Sequence, residues 1–312
     1  MVKNMEQVDI SVVVPTYNRS DLIGETLDSI LGQSYPPIEI IVVDDGSSDD
    51  TEDVLQSYSS DVTYLRIENS GECRARNVGV AATSGNWIAF CDSDDLWRVD
   101  KLALQVSLVH ENPNLAYSFT NFKHVVDGHW SETTKFDGLP AEFWNLSVRK
   151  SCVDAFVVLE PMFDRLLKNQ PIFPSTLMMK RSFFASSGGW NEALGRTPSV
   201  DFEYHLRCAV QCMTGVVAAP VVGIRKHSAN FSGDPLKTAI GEIEILRYVF
   251  EHHEEVEQYR DTICEQIVVR SERAVHAAFE NKRFDLAYKL LENVPFERQS
   301  LKLRVKTMMC SL

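Results

Sequence analysis

Short β-branched runs alternate with amphipathic stretches over the first hundred residues. "ISVVVP" (10–15) reads as a strand bounded by Pro15, and "DLIGETLDSILGQS" sets Leu22, Ile23, Leu27, Ile30 and Leu31 at helical spacing. "IEIIVVDD" predicts a second strand, "TEDVLQSY" a helix, "VTYLRIE" a strand, "ECRARNVGVAAT" a helix stopped by Gly85, and "NWIAFCD" a further strand. Near-continuous apolar strands with helices between them predict a parallel sheet covered on both faces. Further along, Lys101 to His110 reads as a helix and "LAYSFTNFKHVVD" as a strand. His129 to Gln170 is less regular and rich in aromatics, and reads as a meander or lid. "FPSTLMMKRSFFASSGGW" predicts a strand, a short helix and a Gly-Gly turn, and "PSVDFEYHLRCAVQC" a helix entered through Pro198. "GVVAAPVVGIRKHS" is strand-like. From about Pro235 the chain turns charged with helical periodicity (Ala274, Ala277, Ala278 and Phe279, then Leu286, Leu290 and Leu291), which predicts a helical appendage.

Composition narrows the class. At 312 residues with 44% hydrophobic and 24% charged positions, the chain suits one large soluble domain, with or without an appendage. A net charge of −13 argues against nucleic acid as a partner, since phosphate binding is driven by Lys and Arg. The seven cysteines are odd in number and lack a C-x-x-C pair, so they read as reduced thiols in a cytoplasmic protein. Cys208 and Cys212, at i,i+4, fit a buried helix face better than a metal pair. No secretory leader is expected, and no apolar run approaches the roughly 20 residues of a membrane helix. The end of the chain reverses the local sign: Arg298, Lys302, Arg304 and Lys306 stand against Glu297, interleaved with Leu301, Leu303, Val305, Met308 and Met309. Packing on itself or in a homodimer is favoured there. Peripheral docking on the anionic inner face of a membrane is the alternative.

The candidate chemistry lies at strand ends. "IAFCDSDDLW" stops an apolar run at Asp92, Asp94 and Asp95, and Asp44 with Asp45 ends the second strand. In open α/β sheets ligands sit at the carboxyl ends of the strands. Clustered carboxylates suit Mg²⁺ or Mn²⁺, which take one or two protein oxygens and fill their other positions with water and phosphate. A D-x-D in extended chain points both carboxylates the same way; the competing reading is a solvated acidic turn. The chain has no G-x-G-x-x-G after the first strand, no P-loop and no H-E-x-x-H.

"VVVPTYNR", "IIVVDDGSSDDT", "NSGECRARNVGVAATSGNWIAFCDSDDLW" and "STLMMKRSFFASSGGWNEAL" resemble, in order and spacing, the family 2 glycosyltransferases. The resemblance covers roughly residues 10–232. It implies an α/β GT-A fold with a mainly parallel central sheet flanked by helices and a Rossmann-like nucleotide-binding half. The expected organisation is a GT-A domain over 1–232 (nucleotide-binding half 1–112, acceptor half 113–232), then a helical extension over 233–312.

The function it implies is inverting transfer of a sugar from a nucleotide-diphosphate sugar, UDP-linked on family grounds, to an acceptor hydroxyl on a sugar, glycan or lipid-linked carrier in polysaccharide or glycolipid synthesis. The implied cofactor is Mn²⁺ or Mg²⁺. Carried over by motif, Thr16, Tyr17 and Asn18 line the base pocket, and Asp44 or Asp45 binds the base, with Asp44 favoured. Arg76 lies near base and phosphates, Asp92 holds the ribose and Asp94 the metal. Asp201 in "SVDFEYHLR" stands at the general-base position, although Val200 replaces a frequent acid. Glu203, two residues on, reads as structural. His227 is a candidate contact to metal or diphosphate, Arg225 a weaker one. Trp190 reads either as an acceptor-stacking ring or as core. The Val200 departure leaves a second class in view, a non-catalytic relative that binds nucleotide or a partner protein.

Overall fold

The computed structural model describes residues 7–211, 213–227, 230 and 233–299. Its organising element is a mixed eleven-stranded sheet ordered β3-β2-β1-β4-β10-β6-β11-β9-β8, with β5 paired to β11 and β7 to β6. The first four major strands are β1 (Ile10–Thr16), β2 (Glu39–Asp44), β3 (Thr63–Arg66) and β4 (Trp87–Phe90). They pair in parallel, in a register that sets Thr16 beside Asp44 and Asp44 beside Arg66. Every residue of β1 and β4 is buried, as expected of largely apolar strands in the middle of a covered sheet. The crossovers are α1 (Ile23–Leu31), α2 (Thr51–Gln56) and α3 (Glu72–Ala81).

The second half of the sheet is less uniform. After β5 (Leu96–Trp97) and α4 (Lys101–Glu111), the long strand β6 (Tyr117–Val126) runs parallel to β11 (Thr214–Arg225), while β10 (Met178–Lys180) lies antiparallel between β4 and β6. The region read as an irregular meander holds regular pieces: β7 (His129–Trp130), β8 (Val148–Lys150), β9 (Ala155–Val158) and α5 (Phe163–Lys168). Two- to four-residue strands are too short to show a period, and the pairing of β9 with β11 defines them. The short helix and Gly-Gly turn after β10 are α6 (Arg181–Ser186) and Gly188-Gly189, both with positive φ.

The next helix, α7 (Val200–Gln211), begins two residues after Pro198, because Ser199 takes a left-handed φ of 63°. Three more helices follow: α8 (Pro235–His252), α9 (Arg260–Glu280) and α10 (Phe284–Leu291). The start of α8 is set by sequence, with Pro235 in its first turn and Asp234 accepting from the N–H groups of Leu236 (2.9 Å) and Lys237 (3.3 Å).

The chain divides into two compact units, Met1–Gly195 with Arg207–Lys226, and Arg196–Leu206 with His227–Leu312. The second unit takes in the first half of α7. Within it, Phe202 lies under the Arg270 guanidinium at 5.4 Å, and Glu203, 1% exposed, meets His253 Nε2 at 3.0 Å. Arg270 also pairs with Glu242 at 2.7 Å, next to an apolar core that includes Leu236, Ile243, Ala274 and Leu290. Arg298, one of the tail cations, is paired with Glu265 and Glu272. Cys212 and the tail from residue 300 lie outside the described residues, and with them most of the basic segment.

In the first unit α3 lies close on the sheet at Gly79. A β-carbon there would run into Val13 Cγ1 and come within 3.2 Å of Val43 Cγ2, two stiff β-branched residues of the sheet. Gly79→Ala is expected to destabilise the protein by about 1–3 kcal/mol through overpacking, despite the better helix propensity of alanine. The urea unfolding midpoint measures this, and an unchanged or raised midpoint would show that the helix can lift without loss.

Candidate active site

Parallel strands bring the loops after β1, β2 and β4 to one edge of the sheet, where they are laced together. The loop after β1 turns at Asn18, whose φ of 51° is one that Asn tolerates. The Asn18 N–H donates to Ser47 Oγ at 2.9 Å, and its Oδ1 accepts from the Ser48 N–H at 2.8 Å. The Arg19 N–H donates to Thr51 Oγ1 at 2.9 Å. Asp49 accepts from the N–H and hydroxyl of both Ser20 and Thr51. Burial works to raise its pKa, but these donors outweigh it and hold the carboxyl below the ordinary range. In this loop Thr16 is buried, with an Oγ1 that has no hydrogen-bond partner among the described residues, and the Tyr17 ring is 44% exposed.

Asp44 and Asp45 diverge. Asp44, the favoured base-binding candidate for its place at the strand end, is enclosed. It is 0% exposed, and its oxygens accept from the Ser47 N–H (2.8 Å) and the Tyr64 hydroxyl (2.9 Å), with Arg66 at 3.5 Å. Burial and the bond to Asp44 push the Tyr64 hydroxyl up to about 12. Asp44 therefore ties β2 to β3. Asp45 accepts from the N–H groups of Ser70 (2.6 Å) and Gly71 (2.8 Å) just before α3, and keeps slight exposure. Two neighbouring carboxylates at one strand end look alike in sequence. The cross-strand partners Tyr64 and Arg66 give the two different surroundings.

At the end of β4 the three carboxylates part company. Asp92 Oδ1 accepts from Arg76 Nη2 at 2.8 Å, and the same nitrogen reaches Glu72, one turn earlier on α3, at 3.0 Å. Arg76 is 1% exposed, and its guanidinium carbon stands 4.7 Å from the Trp190 ring centre. Burial works against its charge, but Asp92 and Glu72 more than reverse the effect and raise its pKa further. Its Nε and Nη1 have no hydrogen-bond partner among the described residues. Asp94 Oδ2 meets Arg19 Nε at 3.2 Å. Asp95 is buried and accepts from the Ser175 hydroxyl (2.5 Å) and the Arg225 N–H (3.2 Å). Burial, reinforced by Asp94 and Asp92, pushes its carboxyl well above the usual range, while Ser175 and Arg225 pull it back.

Trp190 and Arg225 are likewise enclosed. Trp190 is 2% exposed, packed edge-on against Phe90 at 5.4 Å and bonded through its backbone to Asn77, so it is core and offers no stacking face. The Arg225 guanidinium is spent inside the protein, on Glu25 (2.7 Å), the Leu22 carbonyl (2.9 Å), Thr26 Oγ1 (2.9 Å) and the Asp94 carbonyl. Arg19 and Ser175 were missed, although both stand inside quoted motifs. A cation in a loop facing an acidic strand end was the signal for Arg19.

Asp201 and His227 belong to the second unit. Asp201 lies in the first turn of α7 with its side chain 22% exposed, 3.7 Å from His205 one turn on, while Glu203 is enclosed. The His227 N–H donates to Asn230 Oδ1 at 2.5 Å, and Asn230 Nδ2 lies 3.3 Å from His227 Nε2.

Among the described residues no three His, Cys, Asp or Glu side chains gather around one point. Mg²⁺ or Mn²⁺ held largely by phosphate and water needs only one or two carboxylates, and Asp94, helped by Asp92, is a donor set that fits. A cation at Asp94 would compete with Arg19.

This edge of a mixed α/β sheet gathers an acidic turn and a buried arginine. The family model "Glycosyl transferase family 2" matches residues 11–171, and the chain belongs to that family. It is 44% identical over 118 residues to the "Putative teichuronic acid biosynthesis glycosyltransferase TuaG" of Bacillus subtilis (strain 168), covering 36% of this chain and 46% of that protein. It is 33% identical over 172 residues to the Escherichia coli "UDP-Glc:alpha-D-GlcNAc-diphosphoundecaprenol beta-1,3-glucosyltransferase WfgD", covering 54% of this chain and 66% of that protein. Matched segments thus span less than half of TuaG, and only 18% of an uncharacterised Rickettsia bellii glycosyltransferase. Among solved structures, S. aureus TarS 1-349 in complex with UDP superposes with a TM-score of 0.62 at 17% identity, covering 97% of this chain and 88% of that one. The Pyrobaculum calidifontis mannosyltransferase PcManGT, in complex with GDP-Man and Mn2+, gives 0.56 at 18% identity, covering 98% and 84%. These likenesses establish a GT-A fold.

Below the acidic turn, the fully buried Lys101 opens α4 with its Nζ 3.7 Å from the Trp97 ring centre and 3.4 Å from the Leu177 carbonyl. Burial lowers its pKa to about 7, from 10.5 in the unfolded chain. The unfolded chain therefore holds this proton over a range where the folded protein has released it. The cost of burying the charge is complete below pH 7 and fades as pH rises towards 10.5. Lys101→Met is expected to be about 1–3 kcal/mol more stable than the parent at about pH 6, with the gain shrinking by about pH 9. Urea unfolding at the two pH values tests this. A variant less stable at the lower pH would mean that the contacts to Trp97 and Leu177 outweigh desolvation.

Proposed function

We propose that the chain is an inverting, metal-assisted glycosyltransferase that moves a sugar from a UDP-sugar to a hydroxyl of a growing or lipid-linked glycan. The observation that carries this reading is the Asp92–Arg76 pair at the end of β4, beside Asp94. A buried guanidinium with N–H groups to spare and two part-exposed carboxylates suit a nucleoside diphosphate: hydroxyls for Asp92, negative charge for Arg76. Family membership supports transfer chemistry. The UDP and UDP-GlcNAc complexes of TarS support the nucleotide, and the names of WfgD and TuaG support a diphosphoundecaprenol-linked or cell-wall glycan acceptor.

In this reading Thr16 and Tyr17 meet the base, with Asn18 shaping their loop, and Asp45 rather than the enclosed Asp44 is the carboxylate near it. Arg76 holds diphosphate charge, and Asp92 orients the ribose. Asp94 would hold Mg²⁺ or Mn²⁺, whose chemistry when bound is to offset charge on the leaving diphosphate. Asp201 is assigned the general base that takes the acceptor's proton, on its motif position and its part-exposed carboxylate. His227 is assigned a supporting contact to metal or diphosphate.

The direct experiment incubates the purified chain with UDP-sugars and Mn²⁺ and measures UDP release with and without glycan-lipid acceptors. No release and no UDP binding would remove the reading in favour of a non-catalytic relative. Asp94→Ala is expected to remove the strengthening of UDP binding by Mn²⁺ in calorimetry, with the melting temperature retained. An unchanged metal dependence would show that Asp94 is not the ligand. Asp201→Asn is expected to keep donor affinity and lose turnover by about 10²–10⁴-fold; turnover within a few-fold of the parent would reassign the base.

A further inference from the structure

We propose that Asp95 is the positioning residue of the donor site: with Ser175 and Arg225 it pins the backbone that presents Asp92 and Asp94. The inference rests on the donor-site reading above. The Ser175 hydroxyl accepts from the Asp92 N–H at 3.0 Å and donates to Asp95 Oδ2 at 2.5 Å. Asp95 Oδ1 accepts from the Arg225 N–H at 3.2 Å, and Arg225 Nε donates to the Asp94 carbonyl. The turn itself closes through the Asp95 N–H and the Asp92 carbonyl at 3.0 Å. A continuous circuit therefore runs from the N–H of Asp92, through Ser175, Asp95 and Arg225, to the C=O of Asp94. It holds both ends of the segment that carries the two functional carboxylates, whose side chains remain 28% and 15% exposed.

The chemistry explains why the central residue is a carboxylate. Burying a third acid beside two others is costly, yet only a carboxyl group sets two oxygens on opposite sides, one towards Ser175 and one towards the Arg225 N–H. Asparagine would turn an N–H group towards either Ser175 or Arg225, and alanine would leave both donors unmatched. The circuit also gathers parts that lie far apart in sequence, since Ser175 is 80 and Arg225 130 residues from Asp95. Ser175 belongs to the turn (Pro174–Thr176) that precedes β10, and Arg225 closes β11. Three elements of the sheet thus meet on one buried oxygen pair. Placement errors of about 1 Å at reacting groups cost on the order of 10²-fold, so a frame of this kind acts on turnover and donor affinity as well as on folding.

The test uses the full chain with Ser175→Ala and Asp95→Asn, and Ser175→Thr as the variant that keeps the hydroxyl. Residue-resolved amide hydrogen exchange reads the pinning directly. In Ser175→Ala the Asp92 amide should exchange about tenfold faster, matching one lost hydrogen bond, while amides of β1 and β2 stay as they are. With UDP-sugar and Mn²⁺, the donor KM should rise or kcat fall by about tenfold, with the acceptor KM unmoved and Ser175→Thr close to the parent. Unchanged exchange at Asp92 would overturn the proposal. So would faster exchange with kcat and donor KM within about twofold of the parent. If Ser175→Ala fails to fold, Asp95→Asn is read by the same criteria at the Arg225 amide. If the parent itself neither binds UDP nor releases it from UDP-sugars, the proposed function fails. The exchange result then decides the pinning by itself, faster exchange supporting it and unchanged exchange overturning it.

Discussion

Three carboxylates in four positions at the end of a buried strand repel one another, and much of the first unit is arranged to hold them. Each receives a different counter-group from a different part of the chain. Arg76 on α3 takes Asp92, Arg19 in the loop after β1 takes Asp94, and Ser175 with the Arg225 N–H takes Asp95. Like charge so close is tolerated only where such partners are supplied, because a buried charge without one costs several kcal/mol. The close approach of α3 at Gly79, the lacing of the loops after β1 and β2, and the long reach of β11 all serve to deliver those groups.

This arrangement separates carboxylates that keep exposed surface from groups enclosed in the protein. Asp92 and Asp94 keep exposed surface, whereas Asp44, Asp95, Arg225 and Trp190 are used up inside the protein. Differently placed carboxylates stand side by side in the chain: Asp94 with Asp95, and Asp44 with Asp45. Adjacent residues in a turn point in different directions, so neighbours of the same chemical type can have unrelated duties.

The second unit shows the same economy on a helix. Asp201 and Glu203 are two residues apart, and one is part-exposed while the other is buried against His253. That outcome follows from helical geometry, in which i and i+2 do not share a face. The packing of Phe202 beneath Arg270 and of Gly241 against Pro198 explains why the first half of α7 belongs with the C-terminal helices.

Much of the fold was legible from local pattern. The strands β1, β2, β4, β6 and β11 and the helices α1 to α4 follow from apolar periodicity, which reports burial directly. The family motifs brought Asp92, Asp94 and Arg76 to notice in the same way. The short strands β5, β7, β8 and β9 were not legible, because two to four residues carry no period and exist only through their partners. The surroundings of Asp44, Trp190, Arg225 and Ser175 were set by tertiary structure for a related reason. Their hydrogen bonds and packing run to residues distant in sequence, such as Tyr64, Phe90, Glu25 and Asp95. The sequence by itself determined where the charge and the apolar runs would lie; only the folded sheet, by choosing which side chains meet, decided which carboxylates keep exposed surface and which are held inside.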